Sequence, residues 1–97
     1  MYGTIATLSI NPDNVHALGL LLKEWNAAEG TGDIGFVDGY ILQTDADSSV
    51  VKMIAVFNSE ERYKANAARP EQEVWYQKMR ALLNSDPIWE DGQVTAT

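Results

Sequence analysis

Two neighbouring stretches, Phe36–Gln43 and Val50–Phe57, limit this chain more than any other feature. Each is long enough for one strand, and only the polar run Thr44-Asp45-Ala46-Asp47-Ser48-Ser49 separates them. So short a connection makes them an antiparallel hairpin. By the two-residue period of a strand, Phe36, Asp38, Tyr40 and Leu42 share one face, and Val37, Gly39, Ile41 and Gln43 share the other. In the second stretch only Lys52 is charged. Both faces of the hairpin therefore carry apolar side chains. Helices can cover one face, and something else has to cover the other.

The remaining elements frame this hairpin. Tyr2–Ile10 alternates, with Ala6, Leu8 and Ile10 on one face and Thr7 and Ser9 on the other, which reads as a first strand. Asn11 can cap a following helix and Pro12 suits its first position. Val15, Leu18, Leu22 and Trp25 then form one apolar stripe over about five helical turns. His16 lies off that stripe and reads as a surface residue, while Trp25 reads as core. After the hairpin, Asn58 and Glu61 predict a capping box for a second helical region. Tyr63 and Ala67 face inward there, Pro70 interrupts and restarts the helix, and Val74, Trp75, Met79, Leu82 and Leu83 continue the stripe. Asp86-Pro87 stops it, and Gln93–Thr97 predicts a short closing strand.

The element order is β-α-β-β-α-β in a single domain spanning 1–97. This predicts a ferredoxin-like α+β fold: a four-stranded antiparallel sheet with two helices on one face. A domain of 97 residues has a thin core. No cysteine is present to staple it, and the one histidine rules out a multi-histidine metal site within a chain. Oligomerisation is the remaining source of buried surface. The expectation is a homodimer closed sheet on sheet through the outer hairpin face.

Fourteen acidic and 7 basic residues give a net charge of −7 with no basic stripe. Neither nucleic acid nor an anionic membrane surface is an expected partner. The longest apolar run, Leu18 to Leu22, is far below the ~20 residues of a membrane span. No signal peptide is read at the start of the chain, and the lack of cysteine is compatible with a cytoplasmic location. Gly30-Thr31-Gly32-Asp33-Ile34-Gly35 spells a dinucleotide-binding pattern. It follows a helix and precedes a strand, the reverse of the order that would aim a helix N-terminus at a pyrophosphate. It reads as a helix stop and loop.

The run Phe57-Asn58-Ser59-Glu60-Glu61-Arg62-Tyr63-Lys64-Ala65-Asn66 resembles the strand-to-helix junction of the antibiotic biosynthesis monooxygenase-like family, in the dimeric α+β barrel superfamily. Pro70-Glu71-Gln72, Trp75-Tyr76 and Met79-Arg80-Ala81-Leu82-Leu83 resemble the helix that follows, and Asp86-Pro87 with Trp89, Asp91 and Gly92 the last loop. The resemblance spans nearly the whole chain. It implies a dimer with a cavity between helices and sheet in each subunit. It also implies oxidation of a small aromatic, phenolic or quinol substrate by molecular oxygen with no metal, flavin or other cofactor, the substrate itself donating the electron.

Carried onto this chain, the resemblance makes Asn66, Trp75 and Tyr40 the candidate catalytic residues and Tyr63, Tyr76 and Asp38 the candidate substrate-binding residues. Asn66 stands where relatives carry a polar residue, Asn or His. Asp38 shares a strand face with Tyr40, where a carboxylate could act as general base. Plainer readings stand beside these. Trp75 is at core spacing with Met79 and Leu82, Tyr40 suits a core or an interface, and Asn66 and Asp38 suit solvent. Haem-degrading members use a histidine on the second helix, and this chain has none after His16. A non-enzymatic small-molecule-binding or stress-associated dimer of the same fold is the alternative function.

Overall fold

The computed structural model describes all 97 residues. Strand β1 (Tyr2–Ser9) leads through a short 3-10 turn, Pro12–Asn14, into helix α1 (Val15–Trp25). Asn11 caps that turn, its side chain accepting from the Asp13 N–H at 3.0 Å. A single π-turn, Asn26–Gly30, ends the helix. Strands β2 (Phe36–Gln43) and β3 (Val50–Phe57) follow, then helices α2 (Glu60–Ala67) and α3 (Pro70–Arg80), and strand β4 (Ile88–Gln93). The sheet order is β2-β3-β1-β4, antiparallel throughout. This is the ferredoxin-like arrangement expected from the element order.

Several local expectations are corrected. The helix restarts at Pro70 as expected, because Arg69 takes an extended backbone ahead of it, but α2 and α3 are then separate helices and the sheet carries three rather than two. The cap of α2 is Ser59, whose hydroxyl accepts from the Arg62 N–H at 3.2 Å. Asn58 instead donates its N–H to the Gly35 carbonyl at 2.8 Å. Helix α3 ends at Arg80, before Leu82 and Leu83. Leu83 pairs as a bridge with Ile10, and Asp86 is held by Arg80 Nε at 2.7 Å. Val74 is exposed rather than part of the inward stripe. The closing strand begins at Ile88, with Thr7 opposite Ile88 and Tyr2 opposite Gln93. As an edge strand with one side in water, it tolerates the charged and glycine residues that disguised it.

A bulge changes the faces of β2. Phe36 pairs with Phe57, but Asp38 pairs with Val56, so Val37 is an extra residue. Phe36 therefore turns to the helix side with Gly39 and Ile41, while Asp38, Tyr40 and Leu42 point the other way. Gly39 leaves room for that turn: a Cβ would lie 3.1 Å from the Phe36 ring, which would have to shift by a few tenths of an ångström.

The core fills one end of the layer between helices and sheet. Ala6, Leu8, Ile10, Leu18 and Val51 are fully buried, and Met79 and Leu83 close over them. The outer face of the sheet has no cover. Ile5, Tyr40, Leu42 and Ile88 are all exposed there. Replacing Leu18 by Ala is expected to lower the unfolding free energy by ~2–5 kcal/mol in a urea titration. Replacing Leu20, which is 48% exposed, is expected to change it by less than about 0.5 kcal/mol.

Candidate active site

At the other end of the same layer the side chains do not meet. They enclose a cavity of about 900 Å³, open on one side. Small residues pave its floor: Thr4 on β1, Ala55 on β3 and Gly39 on β2. Aromatic rings wall it. Trp25 meets Phe36 edge-on at 4.9 Å between ring centres, Phe36 meets Phe57 at 5.5 Å, Phe57 meets Tyr63 at 5.6 Å, and Tyr63 meets Tyr2 at 5.4 Å. Such edge-to-face contacts fix ring planes as well as bury area. Trp75, Tyr76 and Trp89 complete the wall.

Helix α2 brings polar groups to this apolar space. Tyr63, Asn66 and Ala67 are three and four residues apart and share one face of the helix. Asn66 is only 6% exposed, and its Oδ1 has no hydrogen-bond partner. An unmet buried acceptor costs about 1–3 kcal/mol. Tyr63 donates its hydroxyl to Asp91 Oδ1 on β4 at 3.0 Å. Burial pushes the Tyr63 phenol up to about 12. The Thr4 hydroxyl beside it acts the other way, and Asp91 adds to the rise. On the opposite side, the Trp25 indole N–H donates to Gln72 Oε1 at 2.8 Å. No group of three or more His, Asp or Glu side chains is placed to hold a metal ion.

Of the six residues singled out in the sequence, Asn66, Trp75, Tyr63 and Tyr76 come together around this cavity. Tyr40 and Asp38 do not join them. Tyr40 borders the cavity, yet Gly39 and Ile41 beside it face the helices, so its ring leaves the sheet on the outer side. It is 61% exposed there, and its hydroxyl donates to Asp38 Oδ2 at 2.6 Å. That bond, with the Gly39 N–H, holds the Asp38 carboxyl below the usual carboxylate range, and it raises the Tyr40 phenol. A carboxylate so stabilised is a poor proton acceptor. The bulge at Val37 is the reason the shared face of Asp38 and Tyr40 does not include Phe36.

Trp25, Gln72, Trp89 and Asp91 line the cavity and were not read as site residues. One signal was available. An indole N–H on an apolar helical stripe needs an acceptor, which points to a polar residue such as Gln72 on a facing helix. Nothing local marks Asp91 or Trp89, which were read as loop.

No protein-family model matches the sequence. No curated protein matches it either. Solved structures share its fold. A conserved protein from Methanosarcina mazei has a TM-score of 0.80 at 12% identity, over 97% of this chain and 92% of its own. A candidate antibiotic biosynthesis monooxygenase from Caulobacter crescentus gives 0.81 at 15%, over 98% and 90%. A mutant of SnoaB, a cofactor-independent oxygenase from Streptomyces nogalater, gives 0.77 at 15%, over 99% and 94%. The resemblance read in the sequence is thus matched at the level of fold across the whole chain. Identities this low carry architecture and nothing more.

The raised Tyr63 phenol predicts a pH dependence. Its folded value, about 12, lies above the ordinary 10.0. The contribution to stability is therefore fully present below pH 10 and is lost as pH rises towards 12. In an absorbance titration of tyrosinate, the Tyr63→Phe variant is expected to lack the latest-titrating component.

Proposed function

We propose that this chain is a cofactor-independent monooxygenase that oxidises a small phenolic or quinol substrate, held in the cavity beneath α2 and α3, with molecular oxygen. The observation that carries the reading is Asn66: a buried amide with an unmet acceptor on the wall of an apolar, aromatic-lined space. Unmet buried polar groups persist where a ligand completes them. The fold shared with SnoaB supports the same reading.

The chemistry asks little of the protein. A phenol and dioxygen yield a quinone and water; one oxygen atom enters the ring, the other leaves as water, and the substrate's own O–H and C–H electrons do the reducing. The amide of Asn66 suits the first step, because it carries both an acceptor and donors. The substrate hydroxyl gives its proton to water at the open side of the cavity, and the Asn66 N–H groups then donate hydrogen bonds to the phenolate oxygen that remains. Trp75, Trp25 and Phe57 keep water from the ring, which lowers the local dielectric and strengthens each hydrogen bond to the developing anion.

The outer sheet face supplies the second part of the proposal, a homodimer. Tyr40, Ile54 and Ile5 lie in one row across β2, β3 and β1, with Leu42 in the next. Two such faces packed together would bury these residues between sheets about 10 Å apart. The active sites would then lie on the far side of each sheet, away from the interface.

A ligand-binding dimer without turnover is the second reading. It is favoured by the lack of a histidine or buried carboxylate on the cavity wall beside Asn66. Oxygen uptake with a panel of quinols and phenols separates the two. Asn66→Ala is expected to lower uptake by 10-fold or more. Asn66→Leu is expected to abolish it while raising stability by about 1 kcal/mol, since it removes the unmet acceptor. A ligand that raises the melting temperature and is recovered unchanged would move the assignment to the second reading. For the dimer, the wild-type chain is expected to sediment at twice the mass of the Ile54→Lys variant, with both equally folded by circular dichroism. A wild-type monomer at micromolar concentration overturns it.

A further inference from the structure

The cavity holds a second polar point that the reading above does not use. Asp91 stands opposite Thr4 in the register of β4 and β1, and Thr4 is buried on the helix side of the sheet. The carboxylate therefore faces the cavity that it lines. Its Oδ1 takes the Tyr63 hydroxyl at 3.0 Å, and no other hydrogen bond or ion pair reaches it. Asp91 is exposed, at the open side of the cavity, and its Oδ2 makes no bond within the chain. Tyr63 in turn lies one turn from Asn66 on the same face of α2. Two polar residues thus line one space: Asn66, 6% exposed with its Oδ1 unpartnered, and Asp91 with one oxygen free.

The other charged groups of the lining do not compete for this role. Lys64 is paired with Glu60 at 3.6 Å on the exposed side of α2. Glu73 takes the Gln77 amide at 2.6 Å along the exposed side of α3. Lys23 on α1, like Lys64, carries only donors and cannot accept a hydrogen bond from a hydroxyl.

We infer that Asp91 is a specificity-determining residue, accepting a hydrogen bond from a second hydroxyl of the substrate, so that the cavity selects an aromatic ring system bearing two hydroxyl donors over one bearing a single donor. The inference rests on the reading of the cavity as a site for aryl alcohols, and it is independent of whether they are oxidised. A cavity of about 900 Å³ has room for fused rings. A neutral donor meeting a carboxylate in such a site is worth more than a neutral pair, about tenfold or more in affinity.

The test is equilibrium binding under anaerobic conditions, read by quenching of tryptophan fluorescence. The probes are 2,6-dihydroxynaphthalene and 6-methoxy-2-naphthol, which match in size but differ in the second donor. Wild-type protein is expected to prefer the diol by about tenfold or more. Asp91→Ala is expected to bring the ratio close to one, and Asp91→Asn to leave it in between. Tyr63→Phe removes the Tyr63–Asp91 bond but keeps the carboxylate, and it is expected to keep the preference. Loss of the ratio in Tyr63→Phe as well would mean that Asp91 acts only by bracing Tyr63, and would overturn the inference. An unchanged ratio in Asp91→Ala would overturn it too, as would a wild-type protein that binds neither probe. A ratio that shifts as expected in a protein that takes up no oxygen upholds the inference while removing the oxygenase reading.

Discussion

A sheet presents two faces, and in this chain both are apolar. Every other feature follows from how each face is covered. On the helix side, the end of β1 that carries Ala6 and Leu8, with Ile10 just beyond it, meets Leu18, Met79 and Leu83 in a closed core. Towards the start of β1, the floor falls away to Thr4, Ala55 and Gly39, whose small side chains leave the space under α2 and α3 unfilled. The outer side keeps Tyr40 and Ile5 exposed, with Ile54 half-buried between them. One face is thus half core and half cavity. The other is a surface whose burial requires a second molecule.

The cavity survives because its walls are braced, both by contacts within the wall and by ion pairs beyond it. Edge-to-face contacts join Trp25 to Tyr63 through Phe36 and Phe57. Two ion pairs tie the segment after α1 to the α2–α3 region: Arg69 with Glu29 at 2.9 Å and Arg62 with Asp33 at 2.9 Å. The Arg62 stem also packs on Gly35, whose φ of +78° and lack of a Cβ permit the approach. Without such bracing, an apolar hollow of this size would be expected to collapse on itself.

The positions of the first three strands were legible from sequence. Tyr2–Ser9, Phe36–Gln43 and Val50–Phe57 stand where their β-branched and apolar runs and the turns between them put them. Three features were not. The bulge at Val37 leaves no mark, because Phe-Val-Asp-Gly reads as unbroken strand and only the pairing with Val56 and Phe57 reveals the extra residue. Strand β4 is stabilised by pairing with β1 rather than by its own composition, so Trp-Glu-Asp-Gly looks like loop. The burial of Asn66 depends on where α2 docks, which helical periodicity cannot tell when its neighbours Ala65 and Ala67 are both exposed. For the site, residue types on α2 and α3 pointed to the cavity wall; the β4 contribution needed the register.

The separation of core from cavity has an evolutionary consequence. The residues that hold the fold together, from Leu8 to Leu83, are largely different from those that would meet a ligand. Exchanging Trp89 or Trp75 changes the shape of the hollow while the closed end stays packed. Such a scaffold can drift from one guest molecule to another, and even lose its guest altogether, without passing through an unfolded ancestor.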